Sequence, residues 1–204
     1  AQTVVYFLHQ LMSAGRLPDV PIFLDSPMSV RATEVYNAHP ECFDDETLQM
    51  LNKYPDLFGE SRIRHVEKQH DSVALNSHPG PCVIISASGM CEGGRVLHHL
   101  KQVIGHERST ILIVGYQAPG TRGRRLVERQ PEVRILGRMF KLKAEVIVLN
   151  GLSSHADQPD MLRYLRPLVG GTERVRLVHG ELDRAEKLAV GLREIGFLDV
   201  AVPE

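Results

Sequence analysis

The stretch Val146-Ile147-Val148-Leu149-Asn150-Gly151-Leu152-Ser153-Ser154-His155-Ala156-Asp157, a helical segment, and then Val175-Arg176-Leu177-Val178-His179-Gly180-Glu181 decide the fold. A β-branched run, a polar loop, an amphipathic helix and a second β-branched run form the pattern of parallel strands joined by a crossover helix. In open parallel α/β sheets, ligands sit beyond the carboxyl ends of the strands. That rule puts His155 just past one strand and His179 at the tip of the next. If the two strands are neighbours, their backbones run about 5 Å apart and two imidazoles share one edge. A lone histidine is ordinarily a hydrogen-bonded loop or core residue, so it is the matched position of two that favours a site.

The same alternation runs outward along the chain. Val4, Val5, Phe7, Leu8, Leu11 and Met12 make a helical stripe already under way at the first residues, and the chain starts at Ala1, which suggests that further sequence precedes it. Val20 to Leu24 reads as a strand ending at Asp25, and Ser26-Pro27 as an N-cap with proline at the first helical position. Residues 41–59 read as a polar, helical, peripheral stretch, with Met50-Leu51, Tyr54 and Leu57-Phe58 as local core beneath it. Cys82 to Ile85 and Thr110 to Val114 are strands, each followed by a loop rich in small residues, and Val133 to Leu142 is a small hairpin. A helix from about Ala185 to Ile195 closes the chain. The predicted class is therefore α/β, a parallel sheet with crossover helices.

Composition excludes several classes of protein. Apolar residues make up 43% and charged residues 24% of the 204, the balance of an ordinary globular protein. Lys plus Arg number 24 against 25 acidic residues, so any surface for a polyanion must be local. Cys42, Cys82 and Cys91 form no CxxC pair, which argues against a disulfide framework or a thiolate zinc site and for a reducing, cytoplasmic setting. No apolar run approaches the roughly 18 residues that span a bilayer, so no membrane partner is expected.

Several short elements resemble those of one family. Gly151-Leu152-Ser153-Ser154-His155-Ala156-Asp157 and Val178-His179-Gly180-Glu181 are similar to two of its signature motifs. Asp25-Ser26-Pro27-Met28, Ala87-Ser88-Gly89-Met90 with Gly93-Gly94-Arg95, and Val114-Gly115-Tyr116-Gln117 with Gly120-Thr121 and Gly123-Arg124-Arg125 resemble three more, in the right order. The family is the metallo-β-lactamase/β-CASP group of RNA-processing nucleases. The resemblance implies a β-CASP domain over residues 1–142 and, over 143–204, a βαβα return segment of the metallo-β-lactamase domain. It implies a zinc-dependent ribonuclease in the intact protein, with two zinc ions activating a water against a phosphodiester. By motif, His179 is the zinc ligand and His155 the catalytic residue that assists the leaving oxygen. Ser153 and Ser154 lie in the substrate-phosphate element. Leu152 and Ser154 stand where the family usually has Phe and Ala.

The H-x-H-x-D-H metal motif of that family is absent from the 204 residues. A catalytic zinc normally takes three protein ligands, so His155 and His179 cannot build the site alone, and the isolated chain is expected to be inactive. Nor does His98-His99 substitute, because neighbours on a helix point about 100° apart, one inward and one to solvent. Further RNA contacts are expected from Ser88 and Gly89, a small-residue loop that admits close approach, and from Arg122, Arg124 and Arg125, which open a helix whose free N–H groups attract anions. Asp157 reads first as an N-cap, then as a residue that steadies His155. Asp25 reads as a cap or turn residue more readily than a site residue. The expected partners are RNA and the N-terminal metallo-β-lactamase portion. A homodimer stays open, because the sequence does not give the oligomeric state. Two other classes also stay open: a noncatalytic nucleotide- or phosphate-binding α/β module, and an interaction platform in an RNA-processing complex.

Overall fold

A computed structural model describes residues 1–55, 57–58, 63–152 and 155–203. The chain divides into two compact units, Ala1–Leu152 and Ser153–Glu204.

In the first unit, helix α1 (Gln2–Ser13) turns Val5 inward, and strand β1 (Ile22–Asp25) is buried at all four positions. Helix α2 (Pro27–Ala38) starts as its sequence dictates: Ser26 Oγ accepts from the Ser29 N–H at 3.3 Å, and Pro27 takes a first-turn position where its missing N–H costs nothing. Helix α3 (Asp45–Lys53) is capped by the Asp44 carboxylate, which accepts from the Thr47 N–H at 2.8 Å. Strand β2 (Ile63–His65), helix α4 (Gln69–Leu75) and strand β3 (Val83–Ser86) follow. These three strands form a parallel sheet in the order β2-β1-β3. The core expected beneath residues 41–59 is present. Leu57 and Phe58 are 0% and 4% exposed and belong to the same core as Val5, Ile22, Leu24 and Ile63. Burying side chains of this size contributes about 1.5–3 kcal/mol each, which accounts for their inward placement.

Helix α5 (Val96–Val103), strand β4 (Thr110–Ile113), helix α6 (Arg122–Val127), the antiparallel pair β5 (Glu132–Ile135) and β6 (Arg138–Lys141), and strand β7 (Glu145–Val148) complete this unit. Leu97, Leu100, Ile104, Ile111, Ile113, Leu126, Val133, Ile135 and Val146 make its second core. The β5–β6 turn places Leu136 and Gly137 at φ +46° and +82°, the paired left-handed conformation whose twist matches a two-residue hairpin.

Strand β7 pairs in parallel with β4, Thr110 opposite Glu145 through Ile113 opposite Val148. The approach to β7 decides this. Lys143 and Ala144 both donate their N–H to the Ile104 carbonyl, at 2.9 and 3.0 Å, and Glu145 donates to Ser109 at 2.9 Å. These bonds deliver the strand to the edge of β4.

The second unit contains helix α7 (Gln158–Leu165), strand β8 (Val175–Arg176), helix α8 (Leu182–Glu194) and strand β9 (Val200–Ala201). β8 and β9 run parallel with α8 as the crossover, which makes a βαβ unit within this region. Ala189, Leu192, Phe197 and Val200 form its core. No helix among the described residues is long and apolar enough to cross a membrane.

Candidate functional site

The C-terminal end of β1 carries a buried polar cluster. Asp25 is 1% exposed, and its Oδ2 accepts from Ser72 Oγ and from His99 Nε2, each at 2.6 Å. Its Oδ1 accepts from Arg95 Nη1 at 2.7 Å. Arg95 also donates to the carbonyls of Val66 at 2.9 Å and Glu67 at 2.5 Å. His99 Nδ1 lies 3.1 Å from the Asn76 side-chain amide. A carboxylate this deep is tolerable only when charge and lone pairs are both met, and removing one partner of such a pair typically costs about 3–5 kcal/mol. His99 is the inward member of the His98-His99 pair and His98 the exposed one, as the helical geometry requires.

The loop after β3 holds Ser88 and Gly89. It is cross-linked internally: the Ser88 N–H and Oγ both donate to the Gly93 carbonyl at 3.2 Å, and Cys91 N–H donates to the Ser88 carbonyl. Gly94, at φ +81°, lies so close to Ala87 that a Cβ would stand 2.6 Å from the Ala87 carbonyl oxygen. The loop after β4 is bound to it through Gln117, whose buried Nε2 donates to the carbonyls of Gly89, Gly115 and Tyr116 at 3.0–3.1 Å.

The three arginines have separate fates. Arg122 directs Nε to the Arg134 carbonyl at 2.6 Å and Nη1 to the Cys91 carbonyl, with Glu92 beside it, so it ties β5 to the Ser88 loop. Arg124 pairs with Glu128 one turn on at 2.7 Å. Arg125 is exposed. The free N–H groups expected at this helix start are not free. Arg122 N–H donates to Glu92 Oε1, Gly123 N–H to Met90 at 3.0 Å, Arg124 N–H to Thr121 Oγ1 at 3.2 Å and Arg125 N–H to the Thr121 carbonyl at 3.2 Å. Local side chains and carbonyls already meet the donors that an anion would need.

In the second unit His155 is exposed, two residues ahead of the N-cap of α7, where it helps line a shallow cavity of about 700 Å³ with Ala156, Asp160, Met161 and Tyr164. Asp157 is the N-cap of α7, its Oδ1 accepting from the Asp160 N–H at 2.9 Å. His179 follows β8, exposed and at φ +63°, a left-handed conformation that costs a residue with a Cβ. Strained backbone of this kind clusters at functional sites. Ser153 and Ser154 lie outside the described residues.

Comparison with known proteins decides the family. Residues 1–126 match the Beta-Casp domain, and residues 139–203 match the Zn-dependent metallo-hydrolase RNA specificity domain. The chain belongs to the β-CASP family. This β-CASP chain is 40% identical, over 94% of its length, to ribonuclease TTHA0252 of Thermus thermophilus, of which it covers 42%. It is 32% identical over 94% of its length to the transcription termination factor FttA of Methanosarcina mazei, covering 30% of that protein. It is 30% identical over 89% of its length to an RNase J-like protein of Methanocaldococcus jannaschii, covering 40%. The β-CASP chain thus spans less than half the length of these curated relatives.

Among the described residues no three His, Cys, Asp or Glu side chains converge as a metal site, and His155 with His179 fall short of the three protein ligands a catalytic zinc needs. The described residues do not by themselves make up a zinc site. Sequence reasoning undervalued Asp25 and quoted Gln117 only within a family-like element, with no role of its own. Asp25 directly follows the buried run Ile22-Phe23-Leu24 and Gln117 lies in the loop after β4, but His99, the partner of Asp25, is 74 residues away and Gly89, which Gln117 clasps, is 28 away, and no local pattern reveals either.

Proposed function

We propose that this chain is the RNA-positioning and C-terminal part of a zinc-dependent ribonuclease that hydrolyses RNA phosphodiester bonds, and that the 204 residues alone do not cleave. The observation that carries the reading is the match of residues 139–203, His155 and His179 included, to a domain described as setting the RNA specificity of zinc-dependent metallo-hydrolases. The 40% identity to a named ribonuclease supports it.

In this reading residues 1–142 are the β-CASP domain and 143–204 the return segment of the metallo-β-lactamase domain. His155 donates a proton to the leaving oxygen. His179 is a zinc ligand, with the further ligands supplied from elsewhere in the protein. Ser88, Gly89, Arg125, Arg124, Ser153 and Ser154 hold RNA phosphates, and Arg122 serves them indirectly through the loop it ties. Asp157 fixes the start of α7 and with it the position of His155.

The test separates binding from chemistry. His155→Ala in the intact protein is expected to spare single-stranded RNA affinity and remove most cleavage. Arg125→Ala is expected to weaken binding and lower the log–log salt slope by about 0.7, since each lost phosphate contact releases fewer counterions. Normal cleavage by His155→Ala would end its catalytic role, and an unchanged slope would remove Arg125 from the interface.

A further inference from the structure

We propose that Asp25 is a positioning residue, which sets the Ala87–Gly94 loop in the shape that receives an RNA phosphate. The inference rests on the reading that Ser88 and Gly89 contact RNA, and it adds the residue that makes their loop competent.

Both stems of the loop end on Asp25. On the entering side, Ser86 Oγ donates to the Asp25 main-chain carbonyl at 3.1 Å, and Asp25 pairs with Ser86 in the β1–β3 ladder. On the leaving side, Arg95 Nη1 donates to Asp25 Oδ1 at 2.7 Å. One residue therefore fixes the separation of the two ends, while the Ser88–Gly93 bonds and the Gly94–Ala87 approach fix the middle. A loop held in its binding conformation before the ligand arrives avoids the ordering cost of binding. Asp25 itself cannot reach a ligand, because its side chain is fully buried and its second oxygen is taken by Ser72 and His99. Whatever it does for RNA passes through the loop.

Three donors converge on this carboxylate, which explains the residue type. An asparagine would turn an NH2 group toward one of them, leaving donor facing donor. A role confined to stability would lower the unfolding midpoint and leave RNA affinity intact in whatever protein stays folded. A positioning role lowers affinity in the folded protein, and does so only while the loop has a contact to lose.

The experiment is a double-mutant cycle on the protein, with affinity for single-stranded RNA and the thermal midpoint measured on the same samples. Asp25→Asn and Ser86→Ala are each expected to weaken RNA binding about five- to tenfold, the size of a lost hydrogen bond. In a Ser88→Ala background each should weaken it by less than about twofold, because the same loop is already impaired. Ser86→Ala leaves the buried carboxylate fully paired, so it carries the test if Asp25→Asn does not fold. Losses that add in the Ser88→Ala background, or unaltered affinity in folded Ser86→Ala, would overturn the positioning role. Absence of RNA binding by the unaltered protein would instead overturn the RNA reading, and the inference with it.

Discussion

Gly123 shows how one missing Cβ can hold two loops together. A Cβ there would stand 1.6 Å from Gln117 Oε1 and 3.0 Å from the Met90 carbonyl oxygen, so the amide that clasps Gly89 and Tyr116 fits only against a glycine. Gly123→Ala should cost about 1–3 kcal/mol, the usual range for overpacking, read as a lower denaturation midpoint. Combined with Gln117→Ala, it should cost clearly less than it does alone, because only the 3.0 Å approach to the Met90 carbonyl remains. Additive losses would show that the clash is not the cause. Burial acts at Cys91 in another way: it pushes the thiol up to about 11, with Arg122 opposing and Glu92 assisting. The sign follows directly. A folded form that holds its proton more tightly than the unfolded chain keeps this contribution below about pH 9 and loses it as pH climbs toward 11. At pH 8 a disulfide reagent should therefore modify exposed Cys42 first, Cys82 more slowly and Cys91 last. Equal rates for Cys42 and Cys91 would contradict the burial.

At the start of α7 one side chain carries two proposed duties. Asp157 caps the helix, and the reading of the site also asks it to steady His155. Asp157→Asn keeps a capping oxygen and should leave stability nearly unchanged, whereas Asp157→Ala should lose about 0.5–2 kcal/mol. If Asp157→Asn in the intact protein still lowers RNA cleavage, the carboxylate has a part beyond the cap; unchanged cleavage there would leave it as a cap alone. Caps of this kind were legible in the sequence, since Ser26-Pro27 and Asp157-Gln158-Pro159 each write a helix start within three residues. The β-branched runs likewise gave β1, β3, β4 and β7 to within two residues. Strand partnership was not legible. β7 prefers β4 because residues 104 and 109 anchor its approach, and that preference is stored in backbone bonds rather than in side-chain type. Helix α4 and strand β9 were missed for a related reason: the first is seven residues long and the second two, too short for either period to show. The Asp25 cluster joins four elements through side chains that look unremarkable one at a time.

On the scale of the whole molecule, the two units differ in how much core each can lose. The second has Ala189, Leu192, Phe197 and Val200 as its fully buried apolar residues, and units of this size are marginal when they stand alone. Leu192, at 0% exposure, is the residue to remove. Leu192→Ala should cost about 2–5 kcal/mol, enough to bring amide exchange in residues 158–201 close to that of an open chain. Protection in β1, β3 and β4 should persist. Equal loss of protection in both units would show that they unfold as one. The parallel sheet around β1 has its own consequence, in the order of events during folding. Asp25 meets Ser86 across 61 residues of chain, whereas the β5–β6 hairpin closes between Ile135 and Arg138 through two left-handed turn residues. Loop entropy alone makes the longer closure roughly 2–3 kcal/mol dearer. The hairpin can therefore form within microseconds of dilution from denaturant, while β1 waits for both of its distant partners. Pulse-labelled amides of Val133 and Phe140 should gain protection well before those of Phe23 and Leu24, so the end of the sheet where Asp25 gathers its partners is among the last parts of the first unit to be built.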